Sequence, residues 1–317
     1  MSAKDLDTTG KSIHEERTAA MISTNQRGLE NTGASAAEIQ RHYDVGNEFY
    51  RLWLDEGMNY SCALWEGERK GDDLAQAQLR KLTYHIDSAN ASGKGAVLDI
   101  GCGWGAMLYQ LSHVHHVKRC VGLTLSEEQA NWVRARAMNG VEVHLQAWQD
   151  HAPEQPYDAI ISIGAFEHFA RPGMTATEKI DAYRAFFEKC ASWLVYPGRL
   201  SLQTIAHGCV DEKKREQTSQ LSSIVFPGSE LPRLQEIIVA AEDVFKIEKV
   251  VNHAKDYQQT CKLWKNNLKR NRERAIPMHG EGVYKQHVDY LQGSEYGFAL
   301  ENLALFRIVL EKPRKIF

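Results

Sequence analysis

Two groups of residues in this 317-residue chain have the types and spacing for chemistry. The first is Asp99-Ile100-Gly101-Cys102-Gly103-Trp104-Gly105, which follows directly on the apolar run Ala96 to Ile100. Glycines between a strand and a helix let the backbone turn sharply and let a ligand approach the main chain. Gly101-x-Gly103-x-x-Ala106 also satisfies the dinucleotide fingerprint. NAD is disfavoured because the next apolar run ends in Thr124-Leu125-Ser126, with no carboxylate for its ribose. The second group is Gly164-Ala165-Phe166-Glu167-His168-Phe169. A carboxylate in so apolar a segment demands a partner, so Glu167 is expected to be functional, a buried structural carboxylate being the alternative. His168 reads as a satisfied structural histidine.

These residues need a frame. Apolar runs at 96–100, 120–125, 141–147, 157–165, 199–205, 247–251 and 303–310 read as strands. Helices are expected from Trp104 to about Val114, from Ser126, over 178–195, over 232–244, near 256–275 and over 281–301, with a weaker one through Leu74, Ala77, Leu82 and Ile86. Ser126 with Gln129 has capping-box spacing. Strands alternating with helices predict an α/β fold with a doubly wound seven-stranded sheet, whose ligands bind at the carboxyl ends of the strands. Residues 1–36 read as a loose arm. The remainder divides into an N-terminal helical cover (37–94), a cofactor-binding core (95–205), substrate-covering helices with later sheet elements (206–302), and a final strand and tail (303–317). A helical pattern begins near Ala36 and carries Ile39, His42 and Tyr43.

The formal net charge of -3 gives no whole-chain attraction for nucleic acid. The basic stretch Lys262 to Arg272 is the solvated side of a helix whose other face is Tyr257, Cys261, Trp264 and Leu268. Nucleic acid is therefore not expected as a partner. The six cysteines form no C-x-x-C pair, which predicts reduced, mostly buried thiols in a cytoplasmic protein. No signal peptide and no bilayer-length apolar run is present, so any membrane contact is expected to be peripheral. No histidine cluster has convincing metal-ligand partners, and none of this fixes the oligomeric state.

From about His42 onward the sequence resembles the cyclopropane fatty acid synthase family, which includes the mycolic acid cyclopropane synthases. The shared motifs are His42-Tyr43-Asp44, Tyr60-Ser61-Cys62-Ala63, Leu98 to Gly105, Gly122 to Ser126 with Gln129, Gly164 to Phe169, and Phe226-Pro227-Gly228. Asp99 stands in the acidic position of the methyltransferase motif. The resemblance implies a class I, Rossmann-like methyltransferase fold that uses S-adenosylmethionine. It implies that Tyr60, Ser61, Gly101 and Gly103 hold the methionine end of the cofactor, that Thr124, Leu125 and Gln129 meet the ribose, and that Ala147 and Trp148 frame the adenine. Trp148 as a plain core aromatic is an equal alternative. A catalytic bicarbonate would lie near Cys62, Glu167 and Tyr257, with Ile163 among the neighbouring cofactor contacts. The family's histidine ligand of that ion is replaced by Gln203, which can donate a hydrogen bond but cannot shuttle a proton. The stretch between Gln203 and Phe226 is also more polar than the family's substrate-covering helices, with Asp211 to Gln217 nearly all charged. The expected activity is transfer of a methyl or methylene group to a carbon centre, an alkene of a lipid or other apolar metabolite. A small-molecule C- or N-methyltransferase is the alternative. A cofactor-binding regulator without turnover is a third, disfavoured by the intact Glu167, Cys62 and Tyr257.

Overall fold

A computed structural model describes residues 33–35, 37, 38, 40, 45–66, 72–211, 213 and 228–314. The arm as far as residue 32, the helix start at Ala36, the His42-Tyr43-Asp44 motif, Phe226-Pro227 and most of the charged run 211–217 lie outside those residues.

Seven strands form the sheet: β1 (Ala96–Ile100), β2 (Arg119–Thr124), β3 (Val141–Leu145), β4 (Tyr157–Ile163), β5 (Leu194–His207), β6 (Lys246–Asn252) and β7 (Leu303–Glu311). Their order is β3-β2-β1-β4-β5-β7-β6. β1 to β5 pair in parallel, and β7 runs antiparallel between β5 and β6. The chain works outward from β1 through β2 to β3, then returns to place β4 on the other side of β1. The switch point between β1 and β4 leaves a crevice at their carboxyl ends, where ligands of such sheets bind.

Both faces are covered, which is why the central strands are apolar almost throughout. On one face α2 (Leu74–Ser88), α3 (Ala106–Tyr109) and α4 (Glu127–Ala135) bring Leu82, Ile86, Leu108 and Val133 against Val97, Cys120 and Ile161. On the other, α5 (Ala176–Trp193) and α6 (Leu234–Ala241) set Tyr183, Phe186, Phe187 and Ile237 against Leu98, Ile160 and Leu200. A third cluster lies beyond the strand ends. There α1 (Asn47–Tyr50) and the segment to Met58 pack with α7 (Ala254–Arg270) and α8 (Arg272–Ala299) through Trp53, Trp104, Tyr257, Trp264 and Phe298.

All seven expected strands are present, and the local differences have physical causes. The helix after the glycine turn changes to a π turn at Gln110–Val114. There Ser112 Oγ donates to the Leu108 carbonyl at 2.8 Å, a back-bond that competes with the regular helical ladder. Pro197 and Gly198 do not precede β5 but lie inside it. A register shift between the Tyr157 and Ala159 pairings accommodates them, because proline cannot donate to the ladder. α8 breaks at Gly280 (φ 84°), one residue before the expected start of the last helix.

Candidate active site

The glycine turn and the segment carrying Glu167 leave the same edge of the sheet, because β1 and β4 pair in parallel with Ile100 opposite Ser162. The amides of Gly101 and Cys102 both donate to the Leu123 carbonyl at 2.9 Å, folding the turn back onto β2. Gly101 has φ 82°, and a Cβ there would lie 2.7 Å from the Cβ of Ala165. The two loops therefore touch, and glycine is what lets them do so. Gly103 also has positive φ, at 54°, but a Cβ there would meet nothing within 4 Å. One glycine is required by packing; the other borders open space.

Tyr60 and Trp104 both pack on Tyr50, with ring centroids 5.4 and 5.0 Å away, which sets Tyr60-Ser61 beside this turn. Ser61 is fixed from behind by α2. Lys81 Nζ donates to Ser61 Oγ and Asn59 Oδ1, both at 3.0 Å, and Gln78 Nε2 donates to the Ser61 carbonyl at 2.9 Å. Burial lowers the Lys81 ammonium to about 8, opposed by Asp55 and Asp99. Asp99 is buried with one oxygen lacking any hydrogen bond. Burial pushes its carboxyl up to about 7, and the charge of Lys81 pulls it back down. The α2 residues were not singled out from sequence. Their signal is Gln78, Lys81 and His85 at i, i+3 and i+7, beside the apolar Leu82 and Ile86.

Among the expected ribose contacts, Thr124 and Gln129 bond each other, Thr124 Oγ1 donating to Gln129 Oε1 at 2.8 Å. Only half of the anticipated capping box forms. Ser126 Oγ accepts from the Gln129 amide at 3.3 Å, while the Ser126 amide donates to Thr124 Oγ1 at 3.1 Å. The reciprocal box is on α5 instead, between Thr175 and Glu178. Leu125 and Ala147 are half-buried. Trp148 is buried, with its ring 5.4 Å from Phe169 and 5.3 Å from Phe186.

Beside Tyr60 opens a cavity of about 80 Å³, lined among others by Gly164, Glu167, Ile205, Tyr257, Tyr290 and Phe298. Tyr257 stacks on Phe298 at 4.6 Å, and burial pushes its hydroxyl well above the usual range. Glu167 is buried, and its Oε2 accepts from Thr204 Oγ1 at 3.2 Å. Burial raises its carboxyl to about 7, while hydrogen bonds from its own amide, Thr204 and the Ile205 amide favour ionisation. His168 also lines the cavity, with Nδ1 2.7 Å from Ser229 Oγ; burial depresses it to about 4, so it is neutral at physiological pH. Its carbonyl accepts from the Ala34 amide at 2.8 Å, and Arg171 Nε donates to the Gly33 carbonyl at 2.6 Å. Gly33 and Ala34, read from sequence as part of a loose arm, are thus tied to the turn that carries Glu167. Ile163 ends β4 half-buried, packed toward the Leu82 cluster.

Cys62 and Gln203 stand behind the cavity wall. Cys62 is wholly buried, its thiol directed at the Ala63 carbonyl at 3.1 Å and pushed up to about 12 by burial. Gln203 Oε1 accepts from Arg307 Nε at 2.8 Å and faces His85 Nε2 at 3.4 Å. Arg307, fully enclosed, also donates to the Cys62 and Ala63 carbonyls at 3.1 and 3.0 Å and lies 3.7 Å from Asp256. Arg307 was missed from sequence, although a single charge within Leu303-Ala304-Leu305-Phe306-Arg307-Ile308-Val309-Leu310 is a visible anomaly. The expected bicarbonate ligands therefore divide. Glu167 and Tyr257 face the cavity, whereas the Cys62 thiol and the Gln203 oxygen are committed elsewhere. The residues around the glycine turn fit a nucleoside cofactor, since Gly103 borders open space. All six cysteines are unpaired. Among the described residues, no group of three His, Cys, Asp or Glu side chains is arranged to hold a metal, and no helix is long and apolar enough to cross a membrane.

Comparison with known proteins agrees with this geometry. The family model for mycolic acid cyclopropane synthetase matches residues 30–308. Cyclopropane mycolic acid synthase 2 of Mycobacterium bovis is 32% identical over 80% of this chain and 87% of its own length. The S-adenosylmethionine-dependent methyltransferase UmaA of Mycobacterium tuberculosis is 32% identical over 86% of this chain and 96% of its own. Among solved structures, mycolic acid cyclopropane synthase CmaA1, complexed with SAH and CTAB, superimposes with a TM-score of 0.79 at 28% identity. That match covers 89% of this chain and all (100%) of the other. With an α/β fold of class I type and a glycine turn at its switch point, the chain belongs to the mycolic acid cyclopropane synthetase family and is an S-adenosylmethionine-dependent methyltransferase.

Proposed function

We propose that the protein transfers a methyl or methylene group to a carbon centre, an alkene carried by a lipid or other apolar metabolite. The observation that carries this reading is the contact between the glycine turn and the loop of Glu167, at the edge of a cavity with aromatic walls. When bound, S-adenosylmethionine supplies a methyl carbon made electrophilic by its sulfonium. The chain's own task is alignment and charge control. Gly101 lets the two loops touch, Gly103 leaves room for the cofactor, and Lys81 fixes Ser61 beside it. Tyr60, Tyr257 and Phe298 present ring faces that attract positive charge developing on an acceptor. Glu167 supplies negative charge and a proton acceptor in the same space. The relatives support a lipid acceptor through their names, which are those of mycolic acid cyclopropane synthases.

A second reading, methylation of a small amine or carbon acceptor, draws on the polar side of the cavity, where His168, Ser229 and Ser294 lie. The experiment is incubation with methyl-labelled cofactor and a lipid extract containing cis-monounsaturated chains, followed by mass spectrometry. A labelled ring or branch on carbon is expected. Label confined to nitrogen would replace the first reading with the second.

A further inference from the structure

Resting on that reading, we infer that the main chain of Gly33 and Ala34, held by Arg171, is a positioning element for Glu167. Glu167 sits in the middle of one short turn, Phe166–His168. Two hydrogen bonds close that turn internally, from the His168 amide to the Ala165 carbonyl and from the Phe169 amide to the Phe166 carbonyl, both at 3.1 Å. A single turn is marginal by itself, so its place is set from outside. On one side lies the glycine turn after β1, where Gly101 makes room for Ala165. On the other lies the buried Gly33–Ala34 main chain. The Ala34 amide donates to the His168 carbonyl, at the end of the turn, at 2.8 Å. Arg171 Nε reaches back to the Gly33 carbonyl at 2.6 Å. The seat is flush: a Cβ on Gly33 would stand 2.1 Å from the His168 carbonyl oxygen and 2.8 Å from the Phe169 Cα. The turn that carries Glu167 is thus wedged between two glycines.

The same stretch of chain reaches the other lip of the cavity. The Ser35 amide and hydroxyl donate to Glu38 Oε2 at 2.8 and 2.7 Å, and that carboxylate lies over Gly228, where a Cβ would be 2.6 Å from it. The next residue, Ser229, places its hydroxyl 2.7 Å from His168 Nδ1, and the Glu230 amide donates to the Ala170 carbonyl at 2.9 Å. The titratable groups facing the Glu167 carboxylate are Tyr60, His168, Tyr257, Cys261 and Tyr290 around the cavity and Tyr183 on α5. Burial keeps His168, Tyr183, Tyr257 and Cys261 uncharged at neutral pH. Burial, not a neighbouring charge, also displaces Glu167, so a turn that lifts from its seat and admits water returns this carboxyl toward its ordinary value. Gly33 does not have a positive φ, so Gly33→Ala acts through the contact alone. Restoring an ordinary separation of 3.4 Å would move the two segments apart by about 1.3 Å, enough to cost at least about tenfold in rate.

The test uses the full chain. Carboxyl carbon-13 NMR, with Glu167 assigned by comparison with Glu167→Gln, follows the titration of this residue with no acceptor present. In Gly33→Ala and in Arg171→Met the midpoint should fall by at least about one pH unit, while S-adenosylhomocysteine affinity stays within about threefold by calorimetry. Arg171→Lys, which keeps a donor, should recover most of the wild-type midpoint. On phospholipid vesicles with cis-monounsaturated chains, Gly33→Ala should lose at least about tenfold in kcat with KM within about threefold. Wild-type titration and kcat in both variants overturn the inference. So does a loss of cofactor affinity as large as the loss in kcat, which would make the contact a general prop of the fold. Should Gly33→Ala not fold, Arg171→Met carries the test alone. If the wild-type enzyme yields no methylated product from the vesicles, the alkene reading fails, and the NMR titration still decides whether Gly33 and Ala34 position Glu167.

Discussion

Replacing Glu167 by Gln should destroy activity and yet stabilise the protein at alkaline pH. Burial raises the Glu167 carboxyl from 4.5 to about 7. A carboxyl raised in the folded state binds its proton more tightly there than in the unfolded chain. Its contribution is therefore most favourable below pH 4.5, falls as pH rises from 4.5 to about 7, and is lost above that. A shift of this size corresponds to about 3 kcal/mol between the two limits. The amide of Gln titrates in neither state, and its oxygen can still accept from Thr204. Urea unfolding of wild type and Glu167→Gln should thus give similar stabilities near pH 4.5. The variant should be the more stable by about 3 kcal/mol at pH 8, the other titrating groups cancelling in the comparison. The measurement needs neither cofactor nor acceptor. A stability difference that stays constant across that range would refute the claim that the folded enzyme holds this carboxylate against its solvation.

Three other outcomes follow from the geometry. Gly103→Ala meets no neighbour at its Cβ but strains a backbone held at φ 54°, so it should lower stability modestly and weaken S-adenosylhomocysteine binding at least tenfold by calorimetry; unaltered affinity in the folded variant would displace the proposed cradle. Lys81→Met removes two hydrogen bonds from the Tyr60–Ser61 wall and should cost roughly 1–3 kcal/mol of stability together with cofactor affinity. Loss of stability with full affinity would make Lys81 purely structural. Arg307→Met leaves Gln203 Oε1 and two carbonyls without their donor and should cost about 3–5 kcal/mol in urea titration.

The sheet was legible because its strands are short apolar runs broken by glycine and helix signals, and all seven stand where those runs lie. The glycine turn was legible for a related reason, because Gly101 and Gly103 adopt positive φ, which only glycine does cheaply. What stayed hidden was polar and buried. Lys81, His85 and Arg307 were not singled out, since each is a polar residue on an element recognised by its apolar pattern. Whether a polar residue on such an element faces solvent or a partner depends on segments far away in sequence, and Arg307 meets Cys62 across 245 positions. Gln203 shows the same limit from the other side. Its identity marked a departure from the family, but only the Arg307 contact shows which way its oxygen points.

The buried polar residues form two networks, and α2 belongs to both. Lys81, with Gln78, fixes Asn59 and Ser61 on the cofactor side. His85, one turn further along, bonds Ser201 Oγ at 2.7 Å and faces Gln203, behind the cavity wall. Hydrogen bonds buried in low dielectric are costly to break singly, so each network resists local drift. One rigid helix thereby sets the distance between the Tyr60–Ser61 wall, the proposed seat of the methyl donor, and the strand that carries Thr204 and, through it, Glu167. Transfer from a sulfonium requires little of the protein beyond that distance, and a misplacement of about 1 Å can cost about a hundredfold in rate. On the proposed function, the polar face of α2 is the gauge between the methyl donor and Glu167.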